Sequence, residues 1–185
     1  MSMTMKAAPD PEVAGHLAAY DKTRSPDALH DAAAAASRHD GETAADPAAG
    51  IAAGEARLAN WLAILGRFQR DLDADFDPDH PPSMNIIPPG KFGNQYSPGV
   101  NPKNVKDPEM RAAYIAAIEK NRILLQNFGA NTKLHEAQQI IREAAVRSVA
   151  DAHHSLGLGS EAIRAALAGA AIMDADRAAL AAAAN

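Results

Sequence analysis

DLDADFDPDHPPSMNIIPPGKFGNQYSPGVNPKNVKD, residues 71–107, is the stretch on which the reading of the fold turns. It carries seven of the chain's twelve prolines and an alternating row of aspartates at 71, 73, 75, 77 and 79. Proline lacks a backbone donor and pushes the residue before it out of the α region, so no helix is expected to cross this stretch. Ala-rich sequence lies on both sides. The chain therefore divides into a disordered N-terminus over 1–10, a helical segment over 11–72, the Asp/Pro-rich connection over 73–107 and a second helical segment over 108–185. The expected fold is all-α: an Ala-rich bundle of about five to seven helices in one domain, with a long proline-rich strap between two helical halves.

Helix starts are the clearest local signals. Pro11 opens a short helix to about Lys22, with Val13, Leu17 and Tyr20 on one side. Ser25-Pro26-Asp27 combines a capping hydroxyl, proline at the first helical position and an acid at the positive end of the dipole. The helix it starts is predicted to stop near Gly41. Residues 40–54, DGETAADPAAGIAAG, read as a loose connection. From Glu55 to Leu72 the residues Leu58, Trp61, Leu62, Leu65 and Phe68 follow helical spacing, with the lone tryptophan as a core anchor. Asp107-Pro108-Glu109 repeats the start chemistry for a helix to Phe128, where Gly129 reads as a C-cap. A further helix from Asn131 or Thr132 to His154, a short one from Ser160 to about Ala168 and a last one from about Asp174 complete the set.

Composition narrows the function classes. Of the hydrophobic residues, 47% of the chain, 44 are alanine, so large side chains are few and helices are expected to approach closely. A core this lean is open to completion by a partner or by self-association through alanine faces. Net charge is −5 with no basic face, which argues against nucleic acid. Cysteine is absent, which removes disulfides, thiolate zinc sites and thiol nucleophiles. No apolar run is long enough to insert in a membrane, and MSMTMKAAPDPEV has no apolar core of a signal peptide. A soluble chain is expected, cytoplasmic unless a leader has been removed.

Spacing decides among the catalytic and metal motifs. Asp71, Asp73, Asp75, Asp77 and Asp79, followed by His80, offer oxygen ligands of the kind that suit calcium or magnesium. As an EF-hand loop starting at Asp71 the run fails, because position six is Phe76 and position twelve is Pro82. His135-Glu136 lacks the second zinc-helix histidine, Gln139 standing in its place. Asp151, His153 and His154 join His135 only if the fold brings their helices together. Gly157-Leu158-Gly159-Ser160 has no strand before it to form a nucleophile elbow, and Pro89-Gly90-Lys91-Phe92-Gly93 lacks phosphate-loop spacing.

The strap over 78–106 interleaves Met84, Ile86, Ile87, Phe92, Tyr96, Val100 and Val105 with polar residues. Loops of this length are usually functional or disordered, and paired prolines stiffen this one. The leading expectation is a non-enzymatic protein-binding module with Phe92 and Tyr96 as contact residues. The alternative is a divalent-metal-dependent protein using the Asp71–His80 run.

Residues 97–122, SPGVNPKNVKDPEMRAAYIAAIEKNR, also resemble a segment of uncharacterised bacterial helical proteins sharing P-G-V-x-P-x-x-I/V-K-D-P-x-x-R-x-x-Y. Pro98, Gly99, Val100, Pro102, Val105, Lys106, Asp107, Pro108, Arg111 and Tyr114 carry the resemblance. Members of that group are typically exported, which implies an envelope or extracellular setting. The resemblance brings no catalytic residues.

Overall fold

The computed structural model describes residues 8–38, 44–69, 77–79 and 101–185. Among these residues it is all-α, with six helices: α1 (Pro11–Thr23), α2 (Pro26–Ser37), α3 (Pro47–Phe68), α4 (Pro108–His154), α5 (Ser160–Gly169) and α6 (Asp174–Ala183). A short 3-10 turn, Pro102–Asn104, precedes α4. The chain separates into two compact units, one of residues 1–74 with 134–185 and the other of residues 75–133. The boundary falls inside α4 rather than at its start, so the segment read as 108–185 is shared between them.

In the first unit, Asp10 accepts a hydrogen bond from the Glu12 amide at 2.8 Å, capping α1. Its own amide donates to the buried Asn60 Oδ1 at 2.7 Å and ties the start of α1 to α3. The αL residue Arg24, at φ 53°, ends α1. Ser25 stands at the N-cap of α2 without a side-chain bond, so Pro26 and Asp27 supply the start signal and the expected capping hydroxyl does not contribute. Leu29, Ala32, Ala35 and Ala36 are buried, which makes α2 the small-residue packing helix that its alanine run predicts.

Two departures from the local reading have tertiary causes. The connection expected over 40–54 is helical from Pro47, where Asp46 accepts from the Ala49 amide at 2.8 Å. Glycines at 50 and 54 read as breakers, yet here they admit the chain that follows α4. A Cβ at Gly50 would lie 2.7 Å from the Leu156 carbonyl oxygen, and one at Gly54 would lie 3.0 Å from Leu158 Cβ. Close backbone approach offsets the helix cost of glycine, about 1 kcal/mol at each position.

The second departure is Gly129, which does not end a helix: α4 runs unbroken from Pro108 to His154. One glycine costs about 1 kcal/mol against many intact backbone bonds, too little to stop a long helix. Thr132 Oγ1 donates back to the Phe128 carbonyl at 2.9 Å, and so acts inside the helix rather than as a cap. The expected break at Ser155–Gly159 does occur. Gly157 takes φ 72° there, and the Leu158 amide returns to the Ala152 carbonyl at 3.1 Å.

The core of the first unit gathers Val13, Leu17 and Tyr20 from α1, Leu58, Trp61, Ile64, Leu65 and Phe68 from α3, and Ile141, Ala145, Val149 and Ala152 from α4. Ile163, Leu167 and Leu180 join them from α5 and α6. Trp61 is fully buried, the anchor its position predicts. Arg57 is buried with them and paired with Asp151, whose carboxyl also accepts from Ser155 Oγ at 2.8 Å.

In the second unit the residues of the P-G-V segment that are described build the entry to α4. Asn101 Oδ1 accepts from the Lys103 amide at 3.0 Å. Asp107 Oδ1 accepts from the amides of Glu109 and Met110 at 2.8 and 3.1 Å. Arg111 donates to the Val105 carbonyl through Nε and Nη2 at 2.9 and 2.6 Å. Each of these bonds satisfies an orphan group at a helix start or in the turn before it, and Tyr114 is buried one turn further on.

Candidate functional site

Two features stand out, one in each unit. The first is a cavity of about 420 Å³ lined by α3, α4, α6 and the chain before α6. Leu65 and Phe68 come from α3, Val146 from α4 and Leu180 from α6. His135, Gln138, Gln139 and Arg142 from α4, with Asp176 from α6, supply its polar groups. Helical spacing puts 135, 138, 139, 142 and 146 on one face of α4. Arg142 Nε donates to Asp176 Oδ1 at 2.8 Å, and Nη2 contacts Met173 Sδ at 3.2 Å. The guanidinium carbon lies 5.1 Å from the centre of the Phe68 ring, so an aromatic face holds the fork from one side. Asp176 is 4% exposed, and among the described residues its Oδ2 has no hydrogen-bond partner. An apolar cavity with a few convergent polar groups is the usual form of a small-molecule site.

The second feature is on the part of α4 that belongs to the second unit. Ile115 is 55% exposed, Ile118 41% and Leu125 42%, and Ile123 and Leu124 are exposed as well. Ile115, Ile118 and Leu125 are three and seven residues apart, which keeps them on one helix face. Arg122 lies between them and donates to Glu119 through Nε and Nη2 at 2.9 and 2.6 Å. That bond holds the Glu119 carboxyl below the ordinary carboxylate range.

The residues singled out from the sequence fare unequally. Asp71, Asp73, Asp75 and His80 lie outside the described residues, as do Phe92 and Tyr96. Asp77 and Asp79 are exposed, and the Asp79 amide donates to Asp77 Oδ1 at 2.9 Å, an Asx turn. No group of three or more His, Asp or Glu side chains among the described residues could hold a metal ion. His135 is in the cavity, while His153 Nδ1 is bonded to the Leu158 carbonyl at 2.8 Å with Ser160 Oγ 3.4 Å from its Nε2. Asp151 is engaged with Arg57 and Ser155. The fold therefore sends the histidines and Asp151 to different tasks.

The Arg142–Asp176 pair has no local motif, because its members are 34 positions apart. Arg142 follows Gln138 by one helical turn on the stripe that buries Ala145 and Val149, and polar residues on a core-facing stripe are the one local sign of it. No protein-family model matches the chain, and comparison with curated proteins and with solved structures finds no match.

Proposed function

We propose that this is a protein-binding helical module that docks a helix or apolar segment of another protein. Its surface is the face of α4 bearing Ile115, Ile118 and Leu125, together with the strap of residues 78–106 that precedes α4 in the chain. The observation that supports this reading is the exposure of those large apolar side chains on one helix face. Isolated exposed apolar residues are ordinary, but an aligned set is the pattern of helix-in-groove recognition.

The test compares the full chain with an Ile118→Asp/Leu125→Asp variant as bait in extracts of its own cells. Circular dichroism first establishes that both are equally helical. Each apolar side chain fully buried at an interface contributes about 1.5–3 kcal/mol, so the double change is expected to weaken specific capture at least tenfold. Equal capture by both baits refutes the surface. Light scattering on the same pair identifies a second copy of the chain as the occupant if a defined oligomer is lost in the variant.

A further inference from the structure

We propose that the cavity between α3, α4 and α6 binds a small uncharged molecule that presents an amide edge, a carbonyl beside an N–H, on an apolar body. The argument starts from Gln138. It is 9% exposed and lines the cavity, and its side-chain amide has no hydrogen-bond partner among the described residues. Buried amides are normally paired, because an unmet donor and acceptor each carry a desolvation cost. Neither polar atom of this amide is sealed from solvent, and the cavity is the space that the residue lines. One helical turn further on, Arg142 is open at one nitrogen. Its Nε is committed to Asp176 and its Nη2 contacts the Met173 thioether, while Nη1 has no partner among the described residues and is likewise unsealed.

Charge and donor count select the ligand. Asp176 already compensates the guanidinium, and its own Oδ2 is sealed from solvent. A carboxylate at Nη1 would set an uncompensated negative charge beside that buried one and leave the Gln138 carbonyl without a donor. An ammonium would face the like charge of the guanidinium. An amide edge meets all three open groups with no net charge. Its carbonyl accepts from Arg142 Nη1 and Gln138 Nε2, and its N–H donates to Gln138 Oε1. Positions four apart on a helix have Cβ atoms about 5–6 Å apart, so one carbonyl oxygen can bridge the two side chains. Phe68, Val146 and Leu180 line the rest, and a cavity of about 420 Å³ suits a ligand with a short apolar body.

The test is proton–nitrogen correlation NMR of the full chain titrated with hexanamide and caprolactam, with hexanoate and hexylamine as charged controls. The Gln138 side-chain resonances are identified by their absence in Gln138→Leu. Both amides are expected to shift those resonances saturably, and both charged controls to bind roughly tenfold more weakly. Gln138→Leu exchanges an unpaired amide for an apolar group of similar size, so helicity and thermal midpoint are expected to hold or rise. Its affinity for the amides, read at the Arg142 Nε–H, is expected to fall roughly tenfold. Ala179→Phe is a second arm: Ala179 is an exposed lining residue, so the larger side chain fills the cavity and leaves Gln138 and Arg142 in place. Loss of the amide-induced shifts in that variant, with unchanged helicity, supports the site. No saturable shift with either amide, a charged control binding as tightly as hexanamide, or undiminished affinity in either variant overturns it.

Discussion

The two parts of α4 use the same helical pattern to opposite ends. In residues 134–154 the stripe Ile141, Ala145, Val149 and Ala152 is sealed against α3 and its neighbours in the first unit. In residues 108–133 the apolar positions Ile115, Ile118 and Leu125 remain open to solvent. Periodicity alone does not distinguish them, because it states which residues share a face and not what covers that face. The difference teaches that burial along a long helix is set turn by turn by the partners each turn meets.

Truncating the sealed side should produce the largest effect. Ile141→Ala is expected to destabilise the protein by about 2–5 kcal/mol, through lost burial and the cavity left behind. Ile118→Ala should stay within about 0.5 kcal/mol, because its side chain is already hydrated. Denaturant midpoints of the two variants measure the contrast, and similar losses in both would erase it.

Glycines sharpen the same comparison. Gly50→Ala places a methyl against the Leu156 carbonyl, a backbone atom that cannot rotate away, and is expected to cost about 1–3 kcal/mol. Gly129→Ala meets nothing within 4 Å and should instead stabilise the helix by about 0.5–1 kcal/mol. Opposite shifts in thermal midpoint are the expected result, and shifts of one sign would contradict it.

The pairing of Arg57 with Asp151 gives the sealed side a pH dependence. The Ser155 hydroxyl, and then Arg57, hold the Asp151 carboxyl below its ordinary value. A depressed carboxylate contributes stability that is present above its unfolded value and is lost as pH falls through the folded one. Asp151→Asn is therefore expected to cost about 1–2 kcal/mol at pH 7, the partial exposure of the carboxylate keeping the figure low. The gap from wild type should begin to narrow below about pH 4 and close only as pH falls through the lower folded value. A gap that persists there would assign the effect to packing.

The most local effect is expected at the open end of α4. Asp107→Ala removes the acceptor for the Glu109 and Met110 amides and should cost about 1 kcal/mol of local helix stability. Hydrogen exchange at residues 109–114 is the suitable measurement, with exchange in 141–149 unchanged. Acceleration in both regions would mean that the two parts of α4 open together.

Much of the helix content was legible in short stretches. Pro11, Ser25-Pro26-Asp27 and Asp107-Pro108-Glu109 each state a helix start, because the fixed proline φ and any neighbouring acid act within one turn, whereas the capping role of Asp10 came only with the structure. The candidate cavity was not legible, since Arg142 and Asp176 belong to different helices and neither forms a motif with its own neighbours. The Arg57–Asp151 pair, 94 positions apart, was invisible for the same reason.

The sequence by itself determined the all-α class, the starts of α1, α2, α4, α5 and α6, the break at Gly157 and the burial of Trp61. All of these follow from backbone propensity and side-chain period, which operate over one or two turns. Only the tertiary structure decided that Gly50 and Gly54 lie within a helix, that Gly129 interrupts nothing and that the apolar face of Ile115, Ile118 and Leu125 is exposed while that of Ile141, Ala145 and Val149 is covered. Each of those outcomes depends on an atom supplied from a distant part of the chain, or on none arriving, and no local pattern records that.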